Sequence, residues 1–265
     1  MMPITAGYRT FLLYDFMDQS ENWNNWSSAP LSLNNDKEIR TSFYTLGFQY
    51  MANRDWGATV EAPVWDRYYR TIDDANIIAS VDHGALGDVR VTGMYTGLSA
   101  DMSTGIQLGL KLPTGPFNQS LLDRDTQIGT GTTDILFGGY QMWQGNSWGW
   151  YMQALWEHAI NSRDGYRPGD SFDFSAGVHY DNLLSTYHVV PMLQLIASFR
   201  DVDSRMNADS TNTGYERLYI APSLEVNLMQ VMNIYADLKI PVITHVSGYQ
   251  LVAPSLVSAT MSLNL

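Results

Sequence analysis

The chain has 265 residues, a net charge of −12 and no cysteine. That charge makes nucleic acid a poor partner. The absence of thiols excludes disulfides, thiolate metal sites and cysteine nucleophiles. Aromatic residues reach 12% while charged residues stop at 16%, against about 25% in ordinary globular chains. Gly and Asn are frequent and long runs of Ala, Leu, Glu and Lys are missing, which favours strands and turns. No run of ~18 apolar residues occurs, so no helix is expected to cross a membrane. No Pro/Ser-rich linker or charge block divides the sequence, and 1–265 reads as one domain. Met1-Met2-Pro3-Ile4 shows no basic segment leading into an apolar core, so an exported form is expected to have lost its leader.

Alternation of apolar and polar residues with a period of two dominates the chain. It recurs in segments of about ten residues or more, the length a tilted membrane strand needs. Twelve strands are predicted, over 7–19, 38–53, 57–70, 86–99, 102–114, 132–144, 147–160, 171–183, 188–201, 214–228, 232–245 and 251–265. Tight turns fall at Asn53-Arg54-Asp55-Trp56, Ser99-Ala100-Asp101, Gln144-Gly145-Asn146-Ser147, Leu184-Ser185-Thr186 and Met229-Gln230-Val231. Longer polar loops occupy 20–37, 71–85, 115–131, 161–170 and 202–213, with a short one near 246–250. Short turns at one end and long loops at the other describe an all-β, up-and-down antiparallel barrel of the outer-membrane kind. Its even strand count puts both termini at the short-turn end, which is periplasmic in such barrels.

The two faces of each strand decide the environment. Over 147–160, Trp148, Trp150, Met152, Ala154 and Trp156 oppose Tyr151, Gln153 and Glu157. Over 232–245, Ile234, Ala236, Leu238, Ile240 and Val242 oppose Tyr235, Asp237 and Lys239. A soluble sheet can carry the same pattern. A barrel of about twelve strands, however, encloses more space than side chains readily fill. The apolar face is therefore expected to meet lipid and the polar face to line a wet lumen. Arg40, Asp66, His158 and Glu216 fall on the apolar phase, each toward the long-loop end. Interfacial aromatic belts are expected from Trp56, Trp65, Tyr68, Tyr69, Trp143, Trp148, Trp150, Tyr187, Tyr215 and Tyr249.

The lumen charges that follow are Arg9, Asp15, Glu61, Arg67, Asp88, Arg90, Lys111, Asp134, Glu157, Asp181, Arg200, Arg217, Glu225, Asp237 and Lys239. Both signs are mixed. They describe either a salt-bridged interior that stiffens or plugs the barrel, or a narrow polar path with little charge selectivity.

Lys111-Leu112-Pro113-Thr114-Gly115, followed by Gly129-Thr130-Gly131-Thr132-Thr133-Asp134, resembles the outer-membrane barrels of the phenol-degradation MetA-pathway family. In that family a strand ends in a K-L-P-T-G-like element, and G-T-G-[ST]-x-D opens the next strand after a loop. The resemblance implies a transporter-type barrel serving pathways for aromatic or other hydrophobic compounds. Such barrels commonly end in an aromatic residue, where this chain has Leu265. Physically, Pro113 lacks an amide donor and suits a strand end. Gly115, Gly129 and Gly131 permit tight backbone, and Asp134 can cap the loop or pair with Lys111.

Catalytic signatures are missing. There is no G-x-S-x-G elbow, H-E-x-x-H pair or phosphate-binding loop. The five histidines, His83, His158, His179, His188 and His245, are scattered, so neither a metal nor a cofactor is expected. Asp201-Val202-Asp203 begins like a calcium loop, but Arg205 and Met206 break the match. Acidic loop residues such as Asp73, Asp74, Asp123, Asp125, Asp201, Asp203 and Asp209 read as solvated charge, with loose binding of divalent cations as the alternative. His158 with nearby Ser162 is the only pairing that suggests a lipid hydrolase, and no orienting partner is evident. The chain is therefore expected to be a non-enzymatic outer-membrane channel for small solutes. Its expected partners are membrane lipid and the solute itself, and its oligomeric state is open. A non-transporting structural or partner-binding barrel is the alternative.

Overall fold

The computed structural model describes residues 6–72, 76–120, 122–181, 188–228 and 231–264. The chain runs β1 (Gly7–Gln19), β2 (Glu21–Asn25), β3 (Ser27–Ser28), β4 (Asp36–Met51), β5 (Trp56–Ile72), β6 (Ile78–Leu86) and β7 (Val89–Tyr95). It continues through β8 (Thr104–Leu112), β9 (Asp134–Gln144), β10 (Trp148–Ala159), β11 (Ser171–Tyr180), β12 (Val189–Arg200), β13 (Tyr215–Leu228), β14 (Met232–Val252) and β15 (Leu256–Asn264). Neighbours pair antiparallel all the way round, and β1 closes on β15 with Arg9 opposite Asn264 and Met17 opposite Leu256. β6 and β7 both pair with β5 and make one stave interrupted at Gly87-Asp88. With β2 and β3 standing apart as a small hairpin on β14, the wall is a closed barrel of twelve staves. Closure satisfies the backbone without leaving a free edge around the ring.

Alternation fixes which way each residue points. Leu46, Leu108, Leu193 and Leu195 stand at least half exposed on the outer wall, with Phe48, Val60, Phe137, Leu224, Ile240 and Met261 among their neighbours. The opposite phase places Thr41, Gln49, Thr59, Thr92, Ser175, Gln194 and Ser262 inside, all buried. Among the described residues, buried apolar side chains gather in two small clusters, one around Met51, Met94 and Met102, the other around Ile39, Tyr69, Leu122 and Leu251. The barrel is thus inverted with respect to a soluble globule: oily outside and polar within.

Short turns behave as their residues dictate. Asn53 Oδ1 accepts from the amides of Asp55 and Trp56 at 2.8 and 2.9 Å, closing the β4–β5 turn. Three elements depart from the sequence reading, the first being the expected loop 20–37, which carries the β2–β3 hairpin because β14 extends far enough to pair with β2. The expected loop 71–85 mostly forms β6, and the short loop near 246–250 is absorbed into β14 as an irregularity where Gly248 takes φ +66°. On the exposed side of β6 lie Ile78, Ser80, Asp82, Gly84 and Leu86. This upper stave therefore lacks the apolar stripe that marks the others. The turn Leu184-Ser185-Thr186, Met229 and Gln230 of the next turn, and Asp73, Asp74, Tyr187 and Leu265 lie outside the described residues.

The aromatic belts need correction in part. Trp56, Trp143 and Trp148 project outward near the short turns, each more than half exposed, and Trp56 packs on Tyr95 and Trp148 on Tyr180. Trp65, Tyr69 and Tyr215 instead occupy the inward phase: Arg67 lies over Trp65, Arg217 over Tyr215, and Tyr69 is buried. Trp65 and Tyr215 thus serve inner-wall cations, and the Tyr69 hydroxyl donates to Asp36 and Asp123, rather than any of them marking an interface.

Candidate functional site

The inner wall is the site, and register assembles it. Lys111 stands opposite Asp134 across β8–β9, and Glu157 follows on β10. Lys111 Nζ bridges Asp134 and Glu157, the latter at 2.6 Å, while Arg90 on β7 holds Glu157 at 2.8 Å. Glu61 lies opposite Arg90 on β5. Four adjacent staves are thereby laced by one alternating-sign network. Asp134 also accepts from the Thr132 hydroxyl at 2.7 Å, so it both pairs with Lys111 and caps the preceding loop.

Across the lumen a second group forms. Lys239 donates to Ser258 at 2.7 Å and lies 3.6 Å from Asp15, while Asp237 accepts from Tyr235 at 2.7 Å. Gln194 on β12 hydrogen-bonds Tyr151, Ser223 and Tyr235, which stand on three other staves. Nearer the short turns, Arg9 donates to Asn264 at 2.7 Å. Asp181 accepts from Gln144, and Glu225 and Asp181 border an open recess of ≈330 Å³ with His179, His188, Val190 and Asn227. Toward the long loops, Arg200 binds the fully buried Asp203 at 2.9 Å and Arg217 stacks on Tyr215. Arg67 donates to Thr41 at 3.0 Å and to the carbonyl of Thr126. Not all of the interior is filled: Gln153 and Asp173, both inward, remain exposed.

Asp88 sits at the break between β6 and β7 and ties the sequence motif together. One of its oxygens accepts from the Gly115 amide at 3.0 Å, the other from the Thr130 amide and hydroxyl at 2.9 Å each. The Gly129 amide donates to Pro116 at 2.8 Å. A Cβ on Gly129 would lie 2.3 Å from the Gly115 carbonyl oxygen, so these glycines permit a backbone contact no side chain allows. The paired motif is the pinched neck of a loop.

Gln194 and the Asp36–Tyr69–Asp123 contact escaped the sequence reading, and Asp203, expected as solvated loop charge, is instead fully buried because Arg200 and the Tyr166 hydroxyl bind it. Gln194 is flanked on its own face by Met192 and Ile196, which hide its polarity in the alternation. The loop residues make long-range contacts that no local period reports. Burial and neighbouring acids raise the Asp125 carboxyl to about 6, and Asp123 shifts upward for the same reason.

The outward charges cluster at the long-loop end. Arg40 lies 5.0 Å over Tyr68 and 3.5 Å from Glu38, which also meets Arg70 at 3.2 Å. Asp66 is exposed on the same phase, and Glu216 lies 4.0 Å from His245, itself stacked on Trp26. His158 does have a carboxylate partner, Asp170, at 2.8 Å from Nδ1. Its Nε2 meets the Arg167 guanidinium at 3.1 Å. Since guanidinium only donates, Nε2 accepts, and the atom a hydrolase would use as base is engaged. Among the described residues no group of His, Asp or Glu is arranged to hold a metal ion.

No protein-family model and no curated protein matches the chain. Solved structures do. An outer membrane channel from Pseudomonas putida F1 superposes with a TM-score of 0.74 at 10% identity, over 99% of this chain and 97% of that one. The NanC porin gives 0.52 at 9% identity, over 96% of this chain and 100% of that one. The CymD monoaromatic hydrocarbon channel gives 0.52 at 8% identity, over 99% and 89% respectively. At such identities the likeness is one of fold: this chain has the architecture of outer-membrane barrel channels.

Proposed function

We propose that the protein is an outer-membrane channel that passes small solutes through its polar lumen. One observation carries this reading: an apolar outer wall encloses an inner wall of charged and hydrogen-bonding groups, some of them exposed within. Hydrocarbon suits the first surface and water the second. The fifteen inner charges would line the solute path, with the Arg90–Lys111–Asp134–Glu157 network as its stiffest part. Both termini would face the periplasm, as the short turns do in barrels of this kind, and lipid would cover the outer band. Membership of the MetA-pathway family, with aromatic or hydrophobic solutes as cargo, rests on the neck motif and is part of the proposal. Its fold likeness to a monoaromatic hydrocarbon channel is compatible.

The test is single-channel recording in planar bilayers, paired with swelling of liposomes in small solutes. Discrete conductance steps and solute-dependent swelling are expected. A folded barrel that conducts nothing and passes nothing would leave the second reading, a structural or partner-binding barrel, which the ion pairs across neighbouring staves favour.

A further inference from the structure

Long connections of a barrel ordinarily extend into solvent. The one between β8 and β9 does not. Beyond the neck at Gly115 and Gly129 it turns inward, and Leu122, Thr126, Gln127 and Ile128 are all buried. Leu122 packs with Ile39 of β4, Tyr69 of β5 and Leu251 of β14, with Val81 of β6 alongside. The loop therefore leaves the wall at β8 and β9 and lands on β5 and β4, two and three staves beyond β8, and on β14 still farther round the ring. On its other flank Arg124 stacks over Tyr166 at 4.3 Å and over Phe117 at 5.1 Å, joining it to the β10–β11 connection. Gln127 braces the loop from within by accepting from the Gln119 amide and donating to the carbonyls of Gln119 and Leu122.

We propose that this segment is a lid seated across the long-loop mouth, that Arg67 latches it, and that its release controls passage through the channel. The inference rests on the channel reading above and adds its regulation. Three features fit a movable part better than a fixed plug. The attachment at the neck is narrow, two glycines and one carboxylate, Asp88. The landing is made of single side chains: Leu122 in an apolar cluster, the Tyr69 hydroxyl donating to Asp123, the Arg124–Tyr166 and Arg163–Phe117 stacks, and one guanidinium reaching backbone carbonyls. And the Arg67 bonds go to the carbonyls of Thr126 and, at 3.5 Å, of Gln127, so they form only when the loop is in this position. Arg67 keeps its bond to Thr41 and its stacking on Trp65 when the lid leaves, so opening does not strand the charge.

The chain has no cysteine, so single thiols report lid position directly. In Leu122→Cys, the thiol should react slowly with a water-soluble maleimide. Adding Arg67→Ala should raise that rate at least tenfold and, on the otherwise wild-type chain, raise single-channel conductance several-fold. Joining Leu122→Cys to Leu251→Cys with a short thiol cross-linker should suppress the large conductance, and a cleavable cross-linker should restore it on reduction. Leu122→Asp changes no barrel residue and unseats the tip independently, should Arg67→Ala fail to fold. Equal, non-zero conductance in wild type, Arg67→Ala and Leu122→Asp, with unchanged labelling, would overturn the lid and leave the channel standing. Zero conductance in all three folded proteins would overturn both.

Discussion

Replacing Lys111 by Met isolates the electrostatic core of the inner wall. The ammonium is almost fully buried and contacts two carboxylates, Asp134 and Glu157, of which Asp134 is buried more deeply still. At the 2.6 Å separation from Glu157, and with an effective dielectric of about 20, one such contact is worth about 6 kcal/mol before desolvation. Dehydrating the ions offsets much of this, but truncating one partner of a buried pair leaves the other unpaired at a cost of about 3–5 kcal/mol. Arg90 continues to hold Glu157 at 2.8 Å, while Asp134 loses its cation and keeps the Thr132 hydroxyl. We therefore expect Lys111→Met to lose about 3–5 kcal/mol. The readout is equilibrium urea unfolding in lipid vesicles, followed by tryptophan emission and by the gel shift of the folded barrel. Adding Asp134→Asn should recover more than half of the loss, since the stranded charge is then gone. A cost below about 1 kcal/mol, the range of exposed pairs, would show that lumen water screens the network and would refute the reasoning.

Further outcomes follow from the same structure. Leu108→Arg, on the outer wall at the midpoint of β8 and 62% exposed, should cost about 2–4 kcal/mol in bilayers. Gln153→Arg, inside, should be nearly neutral by the same urea assay. Gly129→Val should break the neck, because its Cβ would fall 2.3 Å from the Gly115 carbonyl oxygen; trypsin should then cut at Arg124 many times faster than in wild type. Lid closure should weaken as pH rises. The seated Asp125 carboxyl, raised to about 6 and facing Asp36, Arg67, Asp123, Tyr166 and Asp203, favours closure while protonated and opposes it once ionised. Because the residue remains partly exposed, the rise in open probability between pH 5 and pH 7 should be only a few-fold, and Asp125→Asn should flatten it.

How legible was this in the sequence? Strand phase carried most of the architecture, since residues such as Leu238 and Lys239 declare opposite sides with no help from tertiary contacts. The same phase puts Lys111, Glu157 and Lys239 on the polar side of the wall, and Asp134 takes up both roles its place in the motif allows, capping the loop and pairing with Lys111. What stayed hidden depends on distance. Leu122 reads as one apolar residue in a polar loop, and nothing local says that Ile39, Tyr69 and Leu251 receive it. Asp88, two positions from Arg90, looks like one more lumen charge, yet it binds the neck. Tyr69 and Trp65 were read as belt residues because aromatics near strand ends suit interfaces, whereas phase, followed strictly, points both inward beside Arg67. β6 escaped because a stave without an apolar outer stripe has no two-sided contrast to detect.

The central claim is that the two sides of the wall meet different solvents. Two single-cysteine proteins, Leu46→Cys and Gln153→Cys, labelled with the same environment-sensitive fluorophore in vesicles, test it most directly. Brominated lipid should quench the probe at position 46 strongly and the one at 153 hardly at all, while aqueous iodide should do the reverse. Iodide quenching at 46 together with lipid quenching at 153 would contradict the account.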